Sequence, residues 1–174
     1  LIINEEIMNF KDLKNYVVQF EKKELSILIL DNIIDPRNLG ACIRSAAVLE
    51  VDALIINKHH CAPLNDVAHS VSAGGAEVVK IFQISNLINC IKYLKELNVK
   101  IFGLSEHAIE SYTDYNFKES CAIIMGSEEY GIRKKTLENC DSLIKLNDNK
   151  NFKSFNVSVA TGIILSEVVR QRKC

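Results

Sequence analysis

The sequence predicts an α/β fold, an open and mostly parallel sheet with helices on both faces. Three observations predict it. Apolar runs such as Ser26-Ile-Leu-Ile-Leu30 and Cys121-Ala-Ile-Ile-Met125 are continuous rather than alternating, the pattern of strands buried on both faces. Between such runs lie stretches whose apolar residues recur at helical spacing. The length, 174 residues, suffices for one domain of this kind and its core.

Taken in order, residues 10–23 read as a short amphipathic helix. Ser26–Leu30 is the first buried strand, and it ends at Asp31. Asp35-Pro36 breaks the chain there. Asn38 is then a natural cap for a helix that places Leu39, Ile43, Ala46 and Ala47 toward the core. Ala53–Ile56 is a second strand, and Leu64–Ser72 a helix closed by a Gly74-Gly75 turn. Val78–Ile81 reads as a strand, Ile84–Leu97 as an amphipathic helix and Lys100–Leu104 as a further strand. Cys121–Met125 runs into Gly126-Ser-Glu-Glu-Tyr-Gly131, and Leu143–Leu146 is a short strand. The long final helix, Asn156–Arg172, puts Val157, Ala160, Ile164 and Val168 on one face. Open α/β sheets bind ligands at the C-terminal ends of their strands. Three loops then become candidates: 103–107, 126–131 and 146–156. Residues 147–153, polar and without Gly or Pro, fit no element.

Composition excludes several classes. Apolar residues make up 48% and charged residues 25%, and no window holds eighteen uncharged apolar residues, so no spanning helix is expected. The start, Leu1-Ile-Ile-Asn-Glu-Glu6, has no basic region or cleavage site, so no signal peptide is expected; it also lacks Met, as a piece of a longer chain would. The six Cys (42, 61, 90, 121, 140, 174) are dispersed without a CxxC pair, which fits buried thiols in a reducing compartment. His59-His60-Cys61 are adjacent ligand types without a distant partner set, so no metal is expected. There is no G-x-S-x-G elbow, and His69 and His107 have no evident nucleophile. Net charge is −1, which gives no overall nucleic-acid signature. Residues 133–174 nevertheless hold nine Lys and Arg against four Asp and Glu, which suits a phosphate-bearing partner and a solvated helix face equally. Lys outnumbers Arg sixteen to five, and four of those Arg (37, 44, 170, 172) fall in the motifs below. A guanidinium offers a planar, permanently charged fork that Lys cannot replace.

Three constellations carry chemistry. In Asp35-Pro-Arg-Asn-Leu-Gly40-Ala-Cys-Ile-Arg44-Ser-Ala, Arg44 points off the core face, either to solvent or into a cleft beside Asn38. Met125-Gly-Ser-Glu-Glu-Tyr-Gly131 follows a buried strand and lets a ligand approach backbone closely; it is neither a Walker loop nor a GxGxxG fingerprint. Glu128 within it suits a helix N-terminus as well as a catalytic role. In Ser154-Phe-Asn-Val-Ser-Val-Ala-Thr-Gly-Ile-Ile-Leu-Ser-Glu-Val-Val-Arg170-Gln-Arg172, Ser154 and Asn156 can cap the last helix or hold an anion there.

In this order and spacing the three stretches resemble the motifs of the SpoU family of RNA ribose 2′-O-methyltransferases, of the SPOUT superfamily. The resemblance runs from Ser26 to Arg172. The connecting stretches are most similar to the branch that methylates a guanosine of large-subunit ribosomal RNA. That branch carries an N-terminal substrate-binding domain, of which residues 1–25 would be a remnant or linker, with residues 26–174 the catalytic domain. The resemblance implies a C-terminal deep trefoil knot, a rare exception to unknotted connections. It implies S-adenosylmethionine (AdoMet) held in the knot by Leu104, Ser105, Gly126, Leu146 and Phe155. It also implies a homodimer with each active site at the subunit interface, acting on RNA in the cytoplasm or an organellar matrix, without a metal or a membrane. The residue matching Arg44 would activate the ribose 2′-OH. Since an Arg pKa lies above ~12, stabilisation of the forming alkoxide is at least as apt a role as base. Asn38 would orient Arg44 or the ribose, Glu128 would position the same network, and Ser154 and Asn156 would fix the substrate phosphate or the knot loop.

The chain departs from the family pattern before Ser154. Where relatives have an Ile-Pro-Met stretch and a Gly-containing turn, it has Leu146-Asn-Asp-Asn-Lys-Asn-Phe152. Asp148 adds a charge and Lys150 replaces a permissive glycine in the loop that should cover the adenine. Alternatives are a transfer-RNA ribose methyltransferase, a non-catalytic knotted RNA-binding or assembly protein, and an unrelated α/β nucleotide-binding domain.

Overall fold

The computed structural model describes residues 8–20, 23–152 and 154–173. Among these, the strands are β1 (Ser26–Leu30), β2 (Ala53–Asn57), β3 (Ile81–Ile84), β4 (Lys100–Leu104), β5 (Glu110–Ser111), β6 (Cys121–Met125) and β7 (Ser142–Lys145). They form one sheet in the order β3-β2-β1-β6-β4-β7-β5, and each of these pairings is parallel. The continuous apolar runs have a direct cause. In β1, Leu28 and Leu30 join one core with Leu39 and Ile43 of α2 (Pro36–Val48) and Ile164 and Val168 of α7 (Val157–Arg172). Ile27 and Ile29 join a second core, with Leu13 of α1 (Phe10–Val17) and Ile91 and Leu94 of α5 (Leu87–Glu96). Both faces are covered, so no alternation survives.

Several elements differ from the sequence reading, each for a local reason. Asp35, not Asn38, caps α2: its carboxylate accepts from the Arg37 N–H at 2.8 Å, and Pro36 stands in the first turn, where its missing N–H costs nothing. The expected strand at Val78–Ile81 is instead the short helix α4 (Gly75–Val78), followed by β3 at Ile81–Ile84. Ala73 and Gly74 both have positive φ and end α3 (Asp66–Ser72), and Gly75 then packs its backbone against α2, where a Cβ would meet Arg44 Cα at 3.2 Å. That close approach favours a turn of helix over an extended chain. As an outer strand, β3 alternates half-buried and buried residues, so it carries a weaker apolar signal. The helix expected from Ile84 begins at Leu87, because Asn86 caps it by accepting from the Asn89 N–H. The first helix stops at Val17 and continues as a 3₁₀ turn to Phe20; of the rest of its expected span, residues 21 and 22 lie outside the described residues and Lys23 is a bend. Two short elements, β5 and α6 (Lys134–Glu138), carried too few residues to register as periodic.

α1 is part of this fold: Leu13 and Val17 are buried, and the Tyr16 hydroxyl donates to the Asp52 carbonyl at 2.8 Å. Cys42, Cys90 and Cys121 are buried and Cys61 and Cys140 partly so, all as free thiols; Cys174 lies outside the described residues. Burial pushes the thiols of Cys42, Cys61 and Cys121 up to about 11, and those of Cys90 and Cys140 to about 12. No helix among the described residues is long and apolar enough to cross a membrane.

Candidate active site

β6, β4 and β7 are neighbours in the sheet, and the loops that leave their C-terminal ends meet around one cavity of about 240 Å³. These are the three loops singled out from the sequence. Leu104, Ser105, Gly126, Leu146 and Phe155, the residues carried over as cofactor contacts, all line it. Glu128 and Ser154 line it too, whereas Asn38, Arg44 and Asn156 do not. The apolar part of the wall includes Leu104, Met125, Ile132, Leu146, Phe155 and Val157. Among the described residues no group of three His, Cys, Asp or Glu side chains is placed to hold a metal ion.

The 126–131 loop earns its glycines from the chain itself. A Cβ on Gly126 would lie 2.2 Å from Gly131 C and 2.3 Å from Ile132 N. The space of the missing side chain is therefore filled by the returning backbone of Gly131 and Ile132. The loop closes with the Gly131 N–H donating to the Ser127 carbonyl at 2.8 Å, and Gly131 takes φ +64°. The Tyr130 N–H donates to Ser127 Oγ at 3.0 Å, and Tyr130 is left 63% exposed at the rim. Glu129, which accepts from the Tyr130 phenol, pushes that phenol's pKa up.

The start of α7 joins the first and third motifs. Asn156 caps the helix, its Oδ1 accepting from the Ser158 N–H at 2.9 Å and also from the Ser158 hydroxyl. Its Nδ2 donates to Asn38 Oδ1 at 3.3 Å, so Asn38, in the first turn of α2, meets a residue 118 positions away. Glu128 Oε1 accepts from the Val157 N–H at 2.9 Å. Glu128 thus does sit at a helix N-terminus, that of a helix distant in sequence, where a carboxylate is favoured. Two of the amides that an anion would use at α7 are already engaged. Ser154 is exposed at the cavity edge.

Arg44 is exposed in the second half of α2 and has no hydrogen bond or ion pair among the described residues. It stands apart from the cavity of its own chain. The 146–152 loop is built on its asparagines. Asn147 Oδ1 accepts from the Asn149 N–H at 2.9 Å, and Asn149 Oδ1 accepts from the Asn151 and Phe152 N–H groups at 2.9 and 3.2 Å. Asn side chains of this kind build turns without a glycine. Asp148 turns outward to Lys145 Nζ at 2.5 Å and does not line the cavity, so its charge is kept off the apolar wall.

Glu106, His107, Tyr130, Ile132 and Lys145 also line the cavity and were not singled out from the sequence. Tyr130 and His107 fall inside the candidate loops, so loop membership was the signal available for them. Ile132 and Lys145 are buried or half-buried residues flanking the loops, and only the folded chain shows them there.

Comparison with known proteins agrees with this geometry. Residues 25–166 match the model of the SpoU rRNA Methylase family. The chain is 40% identical over 146 residues to the 23S rRNA (guanosine-2′-O-)-methyltransferase RlmB of Xanthomonas campestris, covering 84% of this chain and 59% of that protein. It is 42% identical over 146 residues to the protein of that name from Escherichia coli K12, covering 84% and 60%. The chain thus spans about three fifths of the length of these relatives. Among solved structures, the SpoU methyltransferase AviRb of Streptomyces viridochromogenes in complex with AdoMet superposes with a TM-score of 0.80 at 23% identity, covering 86% of this chain and 58% of that one. The A. aeolicus TrmH/SpoU tRNA modifying enzyme gives 0.77 at 25% identity, covering 94% and 83%. With its three motifs gathered at the ends of adjacent parallel strands, and a family model spanning most of its length, the chain belongs to the SpoU rRNA methylase family.

Proposed function

We propose that this chain is the catalytic part of an AdoMet-dependent RNA 2′-O-methyltransferase that acts on a guanosine of large-subunit ribosomal RNA. The observation that carries the reading is the convergence of Leu104, Ser105, Gly126, Leu146 and Phe155 on one cavity at the strand ends. The cavity suits the group: apolar side chains for an adenine ring, and loop backbone for its polar edge. When bound, AdoMet supplies an electrophilic methyl on a sulfonium. The residues of the chain do the rest. Leu146 and Phe155 flank the ring; Ser105 and the 126–132 backbone orient the polar parts. Glu128 and Asn156 hold the start of α7 in place through Val157 and Asn38. Ser154, free of the cap, is placed to take the substrate phosphate. Asn38 orients the ribose or Arg44.

Arg44 stabilises the oxygen of the 2′-OH as its proton leaves, a task that suits a fixed positive charge better than a base. Because Arg44 lies apart from the cavity of its own chain, we assign it to the cavity of a second copy in a homodimer. Support comes from the first half of α7, which has apolar residues outside its core face: Val157, Ala160 and Ile164 face the core, while Val159 is 51% exposed with Gly162 and Ile163 beside it. A helix of that kind belongs inside an interface. We also propose that the C-terminal segment threads a preceding loop to close the trefoil knot, with residues 26–174 as the catalytic unit. The enzyme would work where its ribosomal RNA resides, the cytoplasm or an organellar matrix.

Calorimetric titration with S-adenosylhomocysteine tests the cofactor reading. One site per subunit is expected, lost in Leu146→Arg, whose side chain would fill the cavity. A folded dimer that binds nothing at millimolar ligand overturns the enzymatic reading in favour of a non-catalytic RNA-binding protein. Methyl transfer to transfer RNA but not to a ribosomal fragment would move the substrate to the other branch.

A further inference from the structure

The side chain of Asp31 is fully buried just beyond the end of β1. Its two oxygens serve two different elements. Oδ1 accepts from Asn57 Nδ2, at the end of β2, at 2.8 Å. Oδ2 accepts from the Arg133 backbone N–H at 3.1 Å. The next residue, Asn32, takes φ +65° and donates Nδ2 to the Gly131 carbonyl at 3.4 Å. Segment 131–133 is therefore held from behind by two consecutive residues that leave β1. The same segment crosses over Gly126 and, with the rest of the loop, walls the cavity. Asp31 itself does not line it.

A buried carboxylate is an expensive way to end a strand, and is kept only where its acceptors meet donors. Here the Arg133 backbone N–H can only donate, and Asn57 presents the NH₂ end of its amide. The carboxylate meets both with acceptor oxygens and so holds Asn57 in this orientation. An amide at position 31 would present its own NH₂ and let Asn57 turn its amide over.

We propose that Asp31 is a positioning residue for the cofactor wall: it fixes the exit of the 126–133 loop at Arg133 and ties it to the end of β2 through Asn57. It touches neither cofactor nor substrate. The inference rests on the cofactor reading above, and it has a readout that does not.

The test uses the full chain and three variants, D31A, N57D and D31N/N57D. Each is titrated with S-adenosylhomocysteine and followed by amide hydrogen exchange. D31A leaves both donors without their acceptor, and N57D sets two carboxylates together. Each is expected to raise Kd by about tenfold, the scale of one lost charge-assisted hydrogen bond, and to speed exchange over residues 131–133. In the double variant the amide at position 31 offers its oxygen to the Arg133 N–H and its NH₂ to the carboxylate at position 57. Both bonds return, and affinity and protection should return with them. Wild-type affinity and protection in D31A overturn the proposal. So does faster exchange with unchanged affinity, or a double variant that regains thermal stability without regaining affinity. If the single variants do not fold, the wild-type protein decides: the Arg133 amide must exchange as slowly as the amides of β1, and exchange at loop rates overturns the proposal. If the wild-type chain binds no S-adenosylhomocysteine, it is the cofactor reading that fails, and the exchange data alone judge the hold of Asp31 on the loop.

Discussion

At the N-terminal end of the sheet, charged side chains are bonded to backbone. The Arg172 guanidinium donates to the carbonyls of Glu24, Leu25, Phe117 and Glu119 at 2.9–3.2 Å, tying the last turn of α7 to the starts of β1 and β6. Asp52 accepts from the Ser26 N–H, and Asp141 from the Ile101 N–H. At the C-terminal end Asp31 also bonds backbone, at Arg133, but the cavity loops are joined by single bonds, such as Glu128 to Val157 and Asn32 to Gly131, and Tyr130, Ser154 and Phe155 are left exposed at the cavity rim. The first end only fastens the chain, and the second also leaves groups for a ligand. Stability and activity should therefore respond to different substitutions, and the following changes can break or sharpen that division.

The largest effect is expected at Arg44. Arg44→Ala should cost methyl transfer ~10²-fold or more, with S-adenosylhomocysteine affinity near wild type. An equal loss of both, measured by single-turnover transfer and calorimetry, would make Arg44 a structural residue and blur the division. Next comes Arg172→Ala. It leaves several carbonyls without their charged donor and should lower unfolding stability by about 3 kcal/mol, read from denaturant titration, while cofactor affinity is kept in the folded fraction. A selective loss of affinity would show that the fastened end also shapes the site. Gly126→Ala crosses the division: a Cβ there meets backbone at 2.2 Å, so loop 131–132 must shift. A loss of about 2 kcal/mol is expected, together with weakened cofactor binding. A variant that loses stability alone would mean that the wall moves without consequence for the site.

The smallest effect concerns Glu167, whose carboxyl is held below its usual pKa by the Arg170 guanidinium. A depressed carboxyl contributes stability above its unfolded pKa, and the contribution is lost as pH falls through the folded one. Glu167→Gln should therefore cost about 0.5 kcal/mol at neutral pH, because Arg170 is well exposed, and nothing once both forms are protonated in acid. A larger loss would place this pair among the fastenings of the N-terminal end.

The regular part of the fold was legible because burial leaves periodic marks. β1 and β6 read as continuous apolar runs since both sheet faces are covered, and α5 and α7 read as helices from their spacing, α7 also from Asn156 at its start. What stayed hidden was local and short. α4 depends on a positive-φ pair and on contact with α2, and a four-residue helix has no period to display. The site was legible as three loops after strand ends, because such loops are where parallel sheets open to ligands. Its internal wiring was not. That Glu128 bonds the Val157 amide, or that Asn38 meets Asn156, depends on contacts between residues 29 and 118 positions apart.

By itself the sequence determined the class of fold, the positions of most strands and helices, and the three motifs that mark the SpoU family, since each is carried by neighbours along the chain. The tertiary structure decided what the motif residues touch. It filled the gap at Gly126 with the chain's own backbone and turned Asp148 outward to Lys145. It also kept Arg44 out of its own cavity and buried Asp31 between two donors. These are matters of strand order and chain crossing, which bring distant segments within hydrogen-bond reach and leave no local trace in composition or period.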